Sequence, residues 1–179
     1  MSIYDKAEMA RNPMLTPKIE KAVVNISVGK SGELLEKAKT VLDEITGRKS
    51  CVRRAKKTVR DFGIRKGEPI SCIATLRGEE AVAFLKRALD AVGNKVSKKS
   101  FDDQGNMSFG IKEHIEIPGI RYRPEVGIFG MDISVAPSRL GYRVARRRRL
   151  RSRIGKSHRV TKDDSLKLMK QTLNLEILE

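Results

Sequence analysis

Residues 19–38, IEKAVVNISVGKSGELLEKA, decide the fold of this chain, because one hydrophobic period gives way there to another. Val24 and Ile26 alternate with polar residues, and a period of two is typical of a strand that buries one face. A glycine-containing turn then leads into a helix, for which Ser31 is the expected N-cap and Gly47 the expected end. The apolar stripe of this helix is Leu34, Leu35, Ala38, Val41, Leu42 and Ile45.

The same two periods recur outward along the chain and predict an α+β fold. The later predicted elements are a basic strand over 51–59, a loop over 60–68, a strand from Pro69, a helix over 79–92, a loop over 93–105, strands near 107–117 and 126–136, and a last helix. Thr161 and Asp164 have the spacing of a capping box at the start of that last helix. This order predicts a largely antiparallel sheet with helices packed on one face, all within one domain over 1–179.

The face of the sheet away from the helices is expected to be polar. On the first strand it would present Asn25 and Ser27, and at the strand that begins at Pro69 it would present Thr75 and Arg77. Small polar donors of this kind suit a ribose–phosphate surface better than a second hydrophobic core.

Composition indicates a polyanionic partner. The 179 residues include 38 Lys and Arg against 22 Asp and Glu, for a formal net charge of +16. Aromatic residues make up only 4% of the chain and Trp is absent, which leaves few rings for stacking on single-stranded bases. We therefore expect recognition of phosphate and shape rather than of stacked bases.

The excess charge lies in two short segments. Residues 48–66 hold nine basic residues and one acid, whereas residues 139–159 hold ten basic residues and no acid. Nine of those ten are Arg, whose guanidinium group binds phosphate through two parallel hydrogen bonds. This composition favours structured nucleic acid over an anionic membrane. With no acidic partner nearby in the sequence, an Arg-rich extension over 139–160 is expected to be largely disordered until RNA binds.

Other site chemistries find little support in the sequence. The Gly-Lys-Ser triplet at 29–31 lacks the upstream glycine of a phosphate-binding P-loop, and two Cys and two His give no zinc pattern. We expect His114 to form a surface ion pair, His158 to contact phosphate, and Phe109 and Phe129 to belong to the core. No cofactor, secretory signal or membrane-spanning segment is expected, which predicts a soluble cytoplasmic protein.

Four stretches together resemble one family of ribosomal proteins. They are IEKAVVNISVGKSGELLEKA (19–38), LDEITGRKSCVRRAKKTVRDFGIRKGEPISCIATLRG (42–78), SFDDQGNMSFGIKEHIEIPG (100–119) and GIFGMDISV (127–135). In order and over almost the whole chain, they resemble the fifth protein of the large ribosomal subunit, which carries 5S ribosomal RNA. The stretch GYRVARRRRLRSRIGKSHRVT (141–161) is similar to the archaeal and eukaryotic branch of that family.

The resemblance implies a non-enzymatic role in the central protuberance of the large subunit. Its partners would be 5S rRNA, the large-subunit rRNA, the transfer RNA of the peptidyl site, a small-subunit protein reached through a bridge, and other large-subunit proteins. The rRNA-binding positions would be Asn25, Arg48, Lys56, Lys57, Thr75, Arg77, Arg146, Arg147, Arg148, Arg149, Arg151 and Arg153. The loop Phe62, Ile64, Arg65, Lys66 and Gly67 resembles the family's tip that contacts transfer RNA. Arg48 stands where many bacterial members have Gln, so a phosphate contact would replace an amide contact there.

Two alternatives remain open at this stage. A free-standing nucleic-acid chaperone or DNA-binding module would share the charge but would not need two separate basic surfaces. An enzyme acting on RNA would need an acid–base or metal set, which these residues do not supply.

Overall fold

A computed structural model describes residues 12–178 and contains a five-stranded antiparallel sheet. Its strands are β1 (Lys18–Ser27), β2 (Cys51–Arg54), β3 (Pro69–Leu76), β5 (Met107–Ile111) and β6 (Met131–Ser138), and their order across the sheet is β2-β3-β1-β6-β5. Two shorter strands, β4 (Lys95–Ser97) and β7 (Glu176–Leu178), form a separate parallel pair. The N-terminal stretch 1–11, for which the sequence predicted no secretory signal, lies outside the described residues.

Residues 12–178 also contain three α-helices: α1 (Glu33–Thr46), α2 (Gly78–Ala91) and α3 (Lys162–Leu173). Helices α1 and α2 pack on the sheet, and α3 contacts α2. Each of the first two helices turns an apolar stripe inward, and the largest buried side chains of these stripes include Leu42 on α1 and Phe84 and Leu85 on α2. The predicted α+β class, with helices covering one face of a mainly antiparallel sheet, is therefore confirmed.

The strand register separates the two faces of the sheet. Val24 on the central strand β1 lies opposite Ala74 on β3 and Ile133 on β6, and all three side chains are almost completely buried. Residues that alternate with these belong to the other face, because side-chain direction along a strand has a period of two. The apolar core therefore lies between the sheet and the helices. Phe109, in register with Ile133, is packed against this core as predicted.

Of the two predicted ends of α1, the C-terminal one agrees with the structure and the N-terminal one does not. Gly47 ends the helix in the left-handed conformation, with φ at 65°, and its N–H donates to the Asp43 carbonyl at 2.9 Å. The N-cap is Gly32 rather than Ser31, so that prediction was wrong. The Ser31 hydroxyl instead donates to Glu68 Oε1 at 2.8 Å, a contact distant in sequence that outcompetes local capping.

At α3 the predicted capping box is confirmed. Thr161 Oγ1 accepts from the Asp164 N–H at 3.4 Å, and Asp164 Oδ2 accepts from the Thr161 N–H at 3.2 Å. An N-cap of this kind is worth about 0.5–2 kcal/mol relative to Ala.

Several strand boundaries were wrong. The basic strand ends at Arg54 rather than 59, the strand expected near 107–117 ends at Ile111, and the strand expected near 126–136 begins at Met131. The loop expected over 93–105 contains β4, whose partner β7 lies about 80 residues away in sequence (residue 95 pairs with residue 176). A three-residue strand that pairs only over such a distance leaves no local period to detect.

Candidate nucleic-acid interface

The uncovered face of the sheet carries the predicted residues Asn25 and Thr75. Asn25 lies in register with Ile73 on β3 and Asp132 on β6, and its Nδ2 donates to Ser27 Oγ at 3.0 Å. Thr75 lies on the same face and is exposed. The uncovered face therefore presents Asn25, Ser27 and Thr75 together, as the alternation predicted.

This face is less uniformly polar than expected. Asp132 on β6 places an exposed carboxylate next to Asn25, and the half-buried Ile73 is the neighbour of Asn25 on β3, on the same face. Towards β5, the Ser108 and Ser134 hydroxyl oxygens are 3.2 Å apart. The face thus offers hydroxyl and amide groups with one acid among them, and its positive charge has to come from segments at its margins.

One such margin is the basic hairpin, residues 55–68, which connects β2 to β3. Its base is closed by the Ala55 N–H, which donates to the Glu68 carbonyl at 2.8 Å. Farther out, the Val59 N–H donates to the Ile64 carbonyl at 2.9 Å and the Ile64 N–H donates back at 3.1 Å. Phe62 lies at the tip with 75% of its surface exposed.

Glu68 fixes the return strand of the basic hairpin. One carboxylate oxygen accepts from the Arg65 N–H at 3.0 Å and the other accepts from the Ser31 hydroxyl. The backbone hydrogen bond from Arg65 is the main reason that the pKa of Glu68 lies below its ordinary value. Gly67 has φ at 88°, a conformation that disfavours a side chain. These ties leave the basic side chains exposed, and those are Lys56, Lys57, Arg60, Arg65 and Lys66.

Arg48 belongs to a different surface from the basic hairpin. Its Nε donates to Glu80 Oε2 at 2.6 Å, beside the first turn of α2. Both side chains remain more than half exposed, at 52% and 57%. The hydrogen bond from Arg48 lowers the pKa of Glu80. The Glu80 carboxylate therefore holds the Arg48 side chain at the helix layer, away from Asn25 on the sheet and Lys56 in the hairpin.

The Arg-rich segment, residues 139–159, is tied down at its base. Arg139 is buried, and its Nη2 donates to Asp164 Oδ2 at 2.9 Å while its Nη1 donates to the Ser157 carbonyl at 3.2 Å. Arg139 therefore has an acidic partner, Asp164, which the count of charges over 139–159 did not anticipate. The ion pair joins the start of the segment to the N-terminus of α3.

Two further contacts close this base. The Tyr142 hydroxyl accepts from the Val160 N–H at 2.7 Å, and His158 Nε2 lies 2.8 Å from the Leu140 carbonyl oxygen. His158 was expected to contact phosphate, but this ring nitrogen bonds within the protein. The segment is consequently a loop whose two ends are held together.

Arg146 also has an acidic partner, because its Nη1 donates to Glu20 Oε1 on β1. The expectation that no acid lies near the Arg-rich segment was thus wrong in space, although it held in sequence. Besides Arg146, the exposed arginines of the segment are Arg143, Arg147, Arg148, Arg149, Arg151, Arg153 and Arg159. Arg151, Arg153 and the unpredicted Arg159 line a cavity of about 470 Å³. A hollow lined by three arginines favours an anionic ligand.

The two basic surfaces lie at opposite ends of the sheet. The basic hairpin leads into the start of β3, near Ser27 at the end of β1, whereas the Arg-rich segment follows Ser138, which pairs with Lys18 at the start of β1. Arg77, which follows β3 directly, lies at the second end. The eight residues of β3 separate the ends by about 26 Å at 3.3 Å per residue.

His114 corrects another expectation. It was predicted to form a surface ion pair, but it is buried, and its Nδ1 accepts from the Phe129 N–H at 3.2 Å. Desolvation by burial is the main reason that the pKa of His114 is lowered. Phe129, which was expected in the core, is partly buried and packs against the hydrophobic core. Within residues 12–178, no group of three or more His, Cys, Asp or Glu could hold a metal ion.

The cysteines are both free, with Cys51 exposed and Cys72 buried. Burial raises the pKa of the Cys72 thiol to about 11, which keeps it protonated at neutral pH. None of the described helices is long and apolar enough to cross a membrane.

Comparison with known proteins identifies the family. Residues 12–65 match the model described as ribosomal protein L5, and residues 69–167 match the model for the C-terminus of the same ribosomal family. The chain therefore belongs to the ribosomal protein L5 family, as the resemblance predicted. This is a family of structural ribosomal proteins and not of enzymes.

Curated archaeal relatives are similar over nearly their whole length. The large ribosomal subunit protein uL5 of Pyrobaculum aerophilum is 54% identical over 166 residues, covering 93% of this chain and 93% of the relative. The uL5 of Aeropyrum pernix is 53% identical over 165 residues, covering 92% of this chain and 86% of the relative. The uL5 of Sulfurisphaera tokodaii is 51% identical over 169 residues, covering 94% and 96%. The predicted archaeal type is thereby supported.

Proposed function

We propose that this protein binds 5S rRNA and attaches it to the large-subunit rRNA. The observation that carries the proposal is the arrangement of the sheet: an uncovered polar face runs between two basic segments at its opposite ends, while the helices cover the other face. Phosphate contacts from Lys and Arg supply most of the affinity in such interfaces, and hydroxyl or amide side chains fix the register.

The 5S-facing surface in this proposal comprises the uncovered sheet face and the basic hairpin. Asn25 and Thr75 support it because both lie on that face. Lys56 and Lys57 support it because both are exposed at the hairpin base, beside the same end of β1 as Asn25. Arg48 would add a phosphate contact from the neighbouring helix layer, where Glu80 holds it.

The surface for the large-subunit rRNA is the Arg-rich segment at the other end of the sheet. Arg147 to Arg149, Arg151 and Arg153 are exposed there, and the closed base presents them as one loop. A loop with closed ends loses less conformational entropy on binding than a free tail of the same composition does.

The hairpin tip is proposed to contact the transfer RNA of the peptidyl site. Phe62, three-quarters exposed beyond the Val59–Ile64 bridge, offers a ring that can pack on a ribose or base. Arg65 and Lys66 add exposed charge beside it, and Gly67 permits the return of the chain. Family resemblance adds the remaining partners to this proposal, namely a small-subunit protein at a bridge and other large-subunit proteins.

Filter binding across a salt series tests the 5S surface. Replacing Lys56 and Lys57 together with Ala removes two phosphate contacts and should lower the slope of log K against log salt by about 1.4–1.8. The matched control replaces Lys39 and Lys86, which are exposed on the helix layer, and should leave the slope unchanged. Equal affinity of the wild-type protein for 5S rRNA and duplex DNA at physiological salt would instead support a general nucleic-acid-binding module.

A second experiment separates the hairpin tip from the 5S surface. Phe62→Ala should leave the affinity for isolated 5S rRNA within about twofold and should weaken transfer-RNA binding to large subunits reconstituted with the variant. If Phe62→Ala weakens 5S binding as much as the Lys56/Lys57 pair of substitutions does, the tip belongs to the 5S surface.

A further inference from the structure

One carboxylate joins the two predicted RNA-binding surfaces. Glu20 Oε1 on β1 accepts from Arg77 Nη1 at 3.5 Å and also from Arg146 Nη1. Arg77 lies at the end of the uncovered sheet face, and Arg146 belongs to the Arg-rich segment. The two arginines are 69 positions apart in sequence, so only the fold brings them to one acid.

The exposure of the three side chains is unequal. Arg77 and Arg146 are 59% and 53% exposed, whereas Glu20 is only 18% exposed. The arginine head groups can therefore be reached by an anion from solution while still in contact with Glu20. Besides the two arginines, the Ser138 hydroxyl is a hydrogen-bonding neighbour of the Glu20 carboxylate, whose second oxygen is buried.

The chemistry of this cluster is that of a phosphate site with a protein anion in it. A carboxylate oxygen between two guanidinium groups occupies the place that a phosphate oxygen takes between paired arginines. The hydrogen bond from Arg146 is the main cause that lowers the pKa of Glu20, so the carboxylate is charged at neutral pH.

We propose that Arg77 and Arg146 form a single phosphate-binding site, which Glu20 occupies in the free protein and gives up to a phosphate of bound RNA. That the bound phosphate belongs to rRNA rests on the proposed function, whereas the existence of the phosphate site does not. The consequence is coupling, because one phosphate would fix the end of the uncovered sheet face and the Arg-rich segment together. Glu20 would then limit the affinity for stray anions until an RNA supplies both surfaces with contacts.

The direct test uses inorganic phosphate and the NMR signals of the arginine Nε–Hε groups. In the wild-type protein, Arg77 and Arg146 should shift with the same midpoint. Glu20→Gln should lower that midpoint about fivefold or more, because the two ion pairs of the arginines with Glu20 no longer have to be broken. The matched control is Glu44→Gln, which removes the same charge from the exposed pair of Glu44 with Arg123 and should leave the midpoint unchanged.

Three results would overturn the proposal. Higher midpoints in Glu20→Gln would show that Glu20 organises the arginines for binding rather than competing with the ligand. An equal gain in Glu44→Gln would show a general effect of net charge, and different midpoints for the two arginines would show two independent sites. Arg77→Ala gives a further measurement that does not depend on the folding of Glu20 variants, since it must weaken the response of Arg146.

Filter binding to 5S rRNA and to large-subunit rRNA then distinguishes this proposal from the proposed function. Glu20→Gln should bind rRNA about fivefold more tightly at low salt than the wild-type protein does. If the wild-type protein binds neither RNA but the phosphate midpoints behave as expected, the proposed function fails and the site stands. If the RNAs bind but Glu20→Gln changes neither the midpoint nor the affinity, the site fails and the function stands.

Discussion

Removing Arg139 should destabilise the protein far more than removing an arginine from a surface ion pair. The Arg139 and Asp164 side chains are each only 9% exposed. Asp164 Oδ2 also accepts from Thr161 Oγ1 at 2.9 Å and from the Thr161 N–H at 3.2 Å. Arg139→Ala leaves these two donors in place but strands a buried carboxylate, for which the expected cost is about 3–5 kcal/mol.

This loss of unfolding free energy corresponds to a readily measured decrease in Tm. For a chain of this length, each kcal/mol lowers Tm by about 2–4 °C, so Arg139→Ala should lower Tm by about 6–20 °C. The control is Arg48→Ala, which breaks a pair with a comparably short N–O distance, 2.6 Å, but with side chains 52% and 57% exposed. That substitution should change Tm very little, because water screens an exposed ion pair and solvates the carboxylate left behind.

Urea unfolding followed by circular dichroism gives both free energies, and a double-mutant cycle tests their origin. Asp164→Ala alone should cost at least as much as Arg139→Ala, because it also removes the capping box of α3. The double variant should be less destabilised than the sum of the two single variants, since neither charge is then left unpaired. The reasoning is refuted if Arg139→Ala costs no more than Arg48→Ala, or if the two single effects simply add.

Three other predictions concern binding and pH. Asn25→Ala loses one exposed-face hydrogen bond, to Ser27, so it should cost less than about 1.5 kcal/mol of stability while weakening 5S binding about tenfold or more; unfolding with unchanged affinity per folded molecule would contradict this. Replacing arginines 146–149 together with Ala should lower the slope of log K against log salt for large-subunit rRNA by about 3 and should change 5S binding less. Equal slopes for the variant and the wild-type protein would mean that these arginines stay in solvent and contact no phosphate. Because burial lowers the pKa of His114 from its ordinary 6.5, the unfolded chain takes up this proton first, so stability should fall as pH decreases below about 6.5. His114→Gln should flatten that dependence in urea titrations between pH values of about 7.5 and 5.5, on either side of the ordinary histidine pKa, and an unchanged dependence would assign it to other groups.

The elements that could be predicted from the sequence are those with a hydrophobic period of their own. The alternation at Val24 and Ile26 and the stripe containing Leu42 predicted the central strand and its covering helix, because burial of one face imposes these patterns. The capping box of Thr161 and Asp164 was likewise readable, since its partners are three residues apart. By contrast, β4 and β7 contain three residues each and pair between residues 95–97 and 176–178, so no local pattern marked them.

The site followed the same division between local and distant contacts. Alternation alone placed Asn25 and Thr75 on one uncovered face, because side-chain direction along a strand is a local property. Arg48 was predicted from the family resemblance, but its side chain is bonded to Glu80, 32 residues away in sequence. His114 was predicted at the surface because its neighbours are Glu113 and Glu116, and it is buried because its partner is Phe129.

Charge counting failed for a physical reason that bears on how the Arg-rich segment works. A run of like charges appears unpartnered in sequence because its acids, Glu20 and Asp164, come from β1 and α3. These two carboxylates act differently, since Asp164 holds a buried arginine as part of the fold while Glu20 contacts a half-exposed one. Arg139 therefore should not contribute to the salt dependence of RNA binding, whereas Arg146 should contribute only after its carboxylate is displaced. The disorder expected over 139–160 in the free protein stays a prediction. The bonds at both ends of the loop argue against it at the base, and so does the Ser152 N–H, which donates to the Val144 carbonyl at 3.2 Å.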